Sequence, residues 1–301
     1  MAVIAIIVAL LLEQWHPLSD RKMWRAALAT CAEWIESTFN AGEERHGTIA
    51  WAVAVVPLVG GTIALYWLLA GIDPLLGLAF NIAALYVTLG FRQVSHYFTA
   101  AHAALREGDL DRAREAIAAW RGQAAMHLNR EEVMRVAIEE ALVSSHRHVF
   151  GVLFWFVLLP GPSGAILYRL AVYLRERWGK LGAFGGTAER VYSVLEWPAS
   201  RLTAAAFAVV GDFEDAVYCW RTQARAWRDP YMGVVLAAGA GAMGVRLGMP
   251  LAEPGGVDPR PELGVGETAD LPFLDTVVGL LWRALVLWVF VLLVVSTVRV
   301  L

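Results

Sequence analysis

The sequence predicts an all-α, polytopic integral membrane protein with about four transmembrane helices, a re-entrant hairpin and cytoplasmic amphipathic helices. Three observations carry this. The chain of 301 residues is 58% hydrophobic and 18% charged with a mean hydropathy of +0.52, against roughly 45–50% apolar and 25% charged in a soluble domain. Residues 49–70 hold 22 positions without a charge. Residues 92–147 form a charged, helix-patterned insert with eight of the chain's 25 Lys+Arg, which the positive-inside rule places on the cytoplasmic side.

Residues 2–12 are apolar like a signal-peptide core, yet no basic residue precedes them and no small-residue cleavage site follows before Glu13, so they are expected to remain as a short transmembrane helix. After His16-Pro17, residues 18–48 space Trp24, Leu28, Cys31, Ile35 and Phe39 three or four apart. That spacing gives one amphipathic helix at the interface. The run 49–70 can cross about 30 Å of hydrocarbon at about 1.5 Å per residue. Gly71-Ile72-Asp73-Pro74 then turns the chain, and 75–91 crosses back.

Within the insert, 109–120 sets Leu110, Ala113, Ile117 and Trp120 against Asp111, Arg112, Arg114 and Glu115. A second helix starts at Asn129, capped in the N-x-x-E manner by Glu132. Both polar faces are expected to be solvated. In 149–174 two apolar arms of about ten residues, too short to span alone, flank Pro160-Gly161-Pro162-Ser163-Gly164. This predicts a re-entrant hairpin or a broken spanning helix, and non-helical backbone at membrane depth points to a site.

Further on, 179–186 reads as a flexible link, and a helix through Val191, Val194 and Leu195 is expected to stop at Trp197-Pro198. Residues 212–228 predict an interfacial amphipathic helix. The G-x-G-x-x-G at Gly239, Gly241 and Gly244 lacks the periodic helix a dinucleotide turn requires, so it reads as a small-residue helix packed closely on its neighbours. Residues 250–272 predict an irregular, mostly acidic loop, and 284–301 the final helix.

Several functions are excluded or disfavoured. A net charge of −3 without a basic, aromatic-rich stripe gives no nucleic-acid surface. Cys31 and Cys219 build neither a disulfide framework nor a zinc site and read as free thiols. His96, His102, His146 and His148 show no ligand spacing, so no metal is expected. A transporter of inverted repeats would show internal repeats and intramembrane acids, which are not found.

The insert also carries a resemblance. Arg92, the run Gly108–Arg114, Arg135–Glu139, the pattern around Leu153–Arg169, Leu195–Ala204 and Gly239–Gly248 occur in the order of the CobD/CbiB family, over most of the chain. The family comprises membrane-bound adenosylcobinamide-phosphate synthases and, closest in character to this chain, the AmpE-like branch with a signalling role. The resemblance implies a single membrane domain over 1–301. For the synthases it implies ATP- and Mg²⁺-dependent amide formation between an adenosylated cobyric acid and aminopropanol phosphate. The resemblance implies that positions supplying acids or an amide in that family here carry Gly122-Gln123-Ala124-Ala125, Val143, Ser144, Arg147, Arg175 and Leu236.

The expectation is therefore a catalytically degenerate, regulatory or ligand-binding relative in the bacterial inner membrane, its main charged regions cytoplasmic. No catalytic residue and no cofactor is assigned; the alternative is the active synthase with Mg²⁺ and ATP. Arg92, His96, Arg135, Glu139, Arg169 and Gly244 are the ligand-binding candidates, for a corrinoid or a small anion. Arg135 and Glu139, four apart on one helix, are also spaced for an intrahelical pair. The lipid bilayer is the expected surrounding partner, and small-residue faces at 60–64 and 238–244 permit a homodimer.

Overall fold

A computed structural model of the chain describes residues 2–15, 21–253 and 256–298, without the side chains of 21–25, 91–94, 253 and 296–298. The His16-Pro17 break, the Trp24 and Arg92 side chains and the end of the last predicted helix lie outside the described residues. The chain divides into two compact units, residues 1–90 with 151–199, and 91–150 with 200–301.

In the first stretch, α1 (Ala2–Trp15), α2 (Arg21–Phe39), α3 (Glu44–Ile72) and α4 (Pro74–Thr88) follow one another. Asp73 makes the predicted turn: its carboxylate accepts from the Leu75 N–H at 2.7 Å while Pro74 occupies the first helical turn, where a missing N–H costs nothing. The insert folds as α5 (Phe91–Glu107), α6 (Leu110–Arg121) and α7 (Arg130–Ser145), the last passing through a π turn (His146–Phe150) into α8 (Gly151–Leu158). Then come α9 (Ser163–Trp178), α10 (Gly186–Val210), α11 (Phe213–Gln223), α12 (Pro230–Met243), five short strands β1 (Val245–Gly248), β2 (Leu251–Glu253), β3 (Gly256–Asp258), β4 (Glu262–Leu263) and β5 (Glu267–Thr268), and α13 (Leu271–Val298).

The described residues are mostly helical, and three helices are long and apolar enough to cross a membrane: Glu44–Ile72, Arg130–Leu158 and Leu271–Val295. α1, α4 and α12 are apolar but shorter. The first unit packs Ile35, Val55, Leu170, Leu174, Trp178 and Phe184 into one core, where full burial of a large apolar side chain is worth about 1.5–3 kcal/mol.

Five expectations need correction. The segment 250–272 is not irregular: β1 pairs antiparallel with β4 and parallel with β5, and β2 pairs with β3. Strands of two to four residues are too short to show alternation in a sequence window. α13 begins at Leu271, so Arg283 lies inside it, its guanidinium Nε donating back to the Gly279 carbonyl at 3.2 Å. α10 runs through Pro198, which removes one hydrogen bond without ending the helix; nearby, the Leu195 carbonyl accepts from the Trp155 indole at 3.2 Å. The link 179–186 is a packed turn with Phe184 buried, and any side chain at Gly47 would collide with the Phe184 carbonyl.

The fifth concerns α7, whose faces are not solvated. Residues 133–139, 141, 142, 144 and 145 are all buried, with α5, α6, α12, α13 and β1 packed around the helix. Because α7 continues into α8, the first arm of the 149–174 element is far longer than ten residues. α8 and α9 form an antiparallel pair in which Gly151 faces Tyr168 and Gly164 faces the Trp155 backbone, so the proline-glycine break is the turn of a helical hairpin.

Candidate functional site

The site is built on α7. The capping box predicted from sequence starts this helix: the Glu132 N–H donates to Asn129 Oδ1 at 2.9 Å and the Asn129 N–H to Glu132 Oε2 at 2.8 Å. Two turns on, Arg135 and Glu139 are 4% and 5% exposed. Burying charge is tolerated only where it is paired and hydrogen-bonded, and the partners come from the end of β1 and the loop before β4.

Glu139 Oε1 accepts from the Gly248 N–H at 2.8 Å, and Oε2 accepts from Arg260 Nη1 at 2.7 Å. Arg260 also donates from Nη2 to the Gly248 carbonyl at 3.2 Å and from Nε to the Met249 carbonyl at 3.3 Å, and its guanidinium lies 5.6 Å from the centre of the Trp227 ring. Gly248, at φ 72°, could not be another residue without striking the Pro261 carbonyl. Arg135 donates from Nη2 to the Pro250 carbonyl at 3.3 Å, while its buried Nε has no hydrogen-bond partner among the described residues. In place of an intrahelical pair, the two charges tie α7 to residues more than a hundred positions away.

A looser set of ion pairs continues the polar face. Arg121 Nε stands 3.8 Å from Glu140, and Arg147 3.9 Å from Asp229, the residue that caps α12 by accepting from the Tyr231 and Met232 N–H groups. In the π turn, the fully buried His146 shares a 2.9 Å hydrogen bond with the Thr203 hydroxyl. Among the described residues no group of three His, Cys, Asp or Glu is placed to hold a metal ion.

Of the sequence candidates, the structure brings Arg135 and Glu139 into one constellation. Gly244 ends α12 at φ 67° and accepts from the Glu267 N–H at 3.0 Å, the work of a helix cap. His96 is exposed on α5, edge-on to Tyr97, which stacks with Trp120. Arg169 is half-buried on α9 of the first unit. For Arg92 the backbone starts α5 and the side chain lies outside the described residues. Sequence reasoning missed Arg260 and Trp227. The available signal was that Arg260 is the lone basic residue of 250–270 and is clasped between Pro259 and Pro261.

Fold and site together define a helical protein of membrane type that holds a charged constellation in its interior, between a core helix and a small sheet. The chain belongs to the CobD/CbiB family: the family model described as CobD/Cbib protein matches residues 5–296. It is 36% identical over 298 residues to the cobalamin biosynthesis protein CobD of Stutzerimonas stutzeri, covering 96% of each chain. It is also 37% identical over 241 residues to the protein of that name from Chromobacterium violaceum, covering 79% of this chain and 77% of the relative. No solved structure matches it significantly.

Proposed function

We propose that this chain is a membrane-bound member of cobalamin biosynthesis that binds a ligand of the pathway without catalysing the synthase reaction, with its charged regions on the cytoplasmic side of the inner membrane. The state of Glu139 carries the reading. Both of its oxygens are engaged, one by the Arg260 guanidinium and one by the Gly248 amide, so its charge is already paired inside the protein. Glu140 beside it faces Arg121, and positions at which the resemblance to the synthases implies acids hold Ala124, Val143 and Arg147 here. These residues do not fit Mg²⁺, which takes carboxylate and water oxygens in an octahedral shell.

A second reading, the active amide-forming synthase that uses ATP to join aminopropanol phosphate to adenosylcobyric acid, is favoured by the names of the two relatives and the end-to-end match to one of them. The signalling role of the AmpE-like branch is the form the first reading takes if a partner protein senses the bound state. Complementation of a cobinamide-synthase deletion strain separates the two. A well-expressed chain that fails to restore growth without added cobinamide is the expected result, and restored growth overturns it in favour of the synthase.

A further inference from the structure

α13 changes character along one side. Asp275, Gly279, Trp282, Val286 and Phe290 follow one another at steps of three or four, with Arg283 beside Trp282, so all six share a face of the helix. At its start this face meets charge: Asp275 accepts from Arg106 of α5 at 2.7 Å, and both side chains are more than half exposed. So open an ion pair stands in water, because charges turned toward hydrocarbon persist only where protein encloses them. Further along, Val286 and Phe290 are 63% and 60% exposed, and no charge occurs from 284 to 298. We infer that the border of the bilayer crosses α13 at Trp282 and Arg283, leaving residues 271–281 outside the hydrocarbon and Arg283 anchored among the polar headgroups of the lipid.

Two side chains mark the level. Trp282 is exposed, and an indole with an apolar body and a polar N–H settles where hydrocarbon meets water. Helical side chains lean toward the N-terminus, which here is the Asp275 end. Arg283 follows that lean, its Nε donating to the Gly279 carbonyl at 3.2 Å. Its stem thus lies along the helix while the guanidinium is carried one turn toward the water, the posture of a snorkelling arginine. The Nη groups remain available to headgroup oxygens.

The lengths agree with this level. Asp275 precedes Arg283 by eight residues, about 12 Å along the axis, which keeps the ion pair clear of the hydrocarbon. The uncharged run 284–298 covers about 22 Å. Snorkelling and local thinning of the bilayer make up the shortfall against roughly 30 Å. A span begun at Leu271 would instead sink Arg283 about 18 Å, near the middle of the bilayer on a face of Trp282, Val286 and Phe290.

The test places single spin labels in the full chain, with Cys31 and Cys219 replaced by Ala, in nanodiscs of phosphatidylcholine and phosphatidylglycerol. Labels go on Thr276→Cys, Gly279→Cys, Val286→Cys and Phe290→Cys; Gly279 has open space where its side chain would start. The label at 276 should meet a water-soluble nickel relaxant, those at 286 and 290 should meet oxygen, and 279 should lie between. In Arg283→Leu the label at 279 should move deeper by one helical turn, about 5 Å, while Arg283→Lys holds it at the parent depth. A label at 276 as deep as that at 286 would overturn the border, and an unmoved label at 279 in Arg283→Leu would overturn the anchor. Low access to both reagents at 286 and 290 would mean that a second copy of the chain, and not lipid, covers the face. Depth in the bilayer is the readout, so either outcome of the complementation experiment leaves this result standing.

Discussion

Two helices of the same length behave as opposites. Glu44–Ile72 and Arg130–Leu158 each span 29 residues and each pass the length and hydropathy needed to cross a bilayer, but 11% of the apolar window is buried in the first and 61% in the second. α3 turns Val56, Leu65, Trp67 and Leu68 outward, whereas the second helix is wrapped by its neighbours and carries Arg135, Glu139 and His146 in its buried length. Hydrocarbon and protein interior select the same aliphatic side chains. The charges tell them apart, because they persist only where protein supplies partners.

The contrast breaks most visibly at Glu139. Glu139→Ala would strand Arg260 without its partner, and loss of one member of a buried pair costs about 3–5 kcal/mol; unfolding in mild detergent should show a large fall in Tm, and a parent-like Tm would mean the charges are not held as described. Leu142, fully buried against Gly239, should lose about 2–5 kcal/mol as Leu142→Ala. The matching change Leu68→Ala, at a side chain 62% exposed on α3, should stay within about 0.5 kcal/mol in the same assay.

α3 answers to a different measurement. Leu58→Arg, at the middle of the helix and outward-facing, should disfavour membrane insertion by about 2.5–3.5 kcal/mol, read as a reduced inserted fraction in a glycosylation-mapping assay; unchanged insertion would argue that α3 does not face lipid.

The smallest effect compares the two thiols. Burial, with Asp215 adding to it, pushes the Cys219 thiol up to about 11, while Cys31 is exposed. The neutral thiol is the favoured form of Cys219, and its thiolate appears only as pH climbs toward that value. Maleimide at pH 7.5 should label Cys31 and spare Cys219, with Cys219 gaining reactivity as pH rises; equal rates at neutral pH would contradict its burial.

Much of this was legible in the sequence where the cause is local. Asn129 caps its helix as the N-x-x-E spacing implies, and the turn at Gly71–Pro74 falls where expected, since an N-cap or a turn needs only residues within reach of the first helical turn. The burial of Glu139 was not legible, because its partners lie 109 and 121 positions away and the local pattern is that of a solvated helix. Pro198 misled for the converse reason: packing from Trp155 and other neighbours maintains a helix that local propensity would end.

Arg260 has one more consequence, and it concerns the unfolded chain. Pro259 and Pro261 fix their own φ angles, and Pro261 also confines Arg260 to extended backbone. The guanidinium therefore loses less freedom on reaching Glu139 than an arginine in an ordinary loop would. Pro261→Ala keeps the carbonyl that accepts from the Met249 N–H and every contact of Arg260, yet stability should fall by about 0.4–1 kcal/mol through the greater entropy of the unfolded state. The loop thus contributes to the site before any contact is made, by narrowing the conformations from which the arginine has to be gathered.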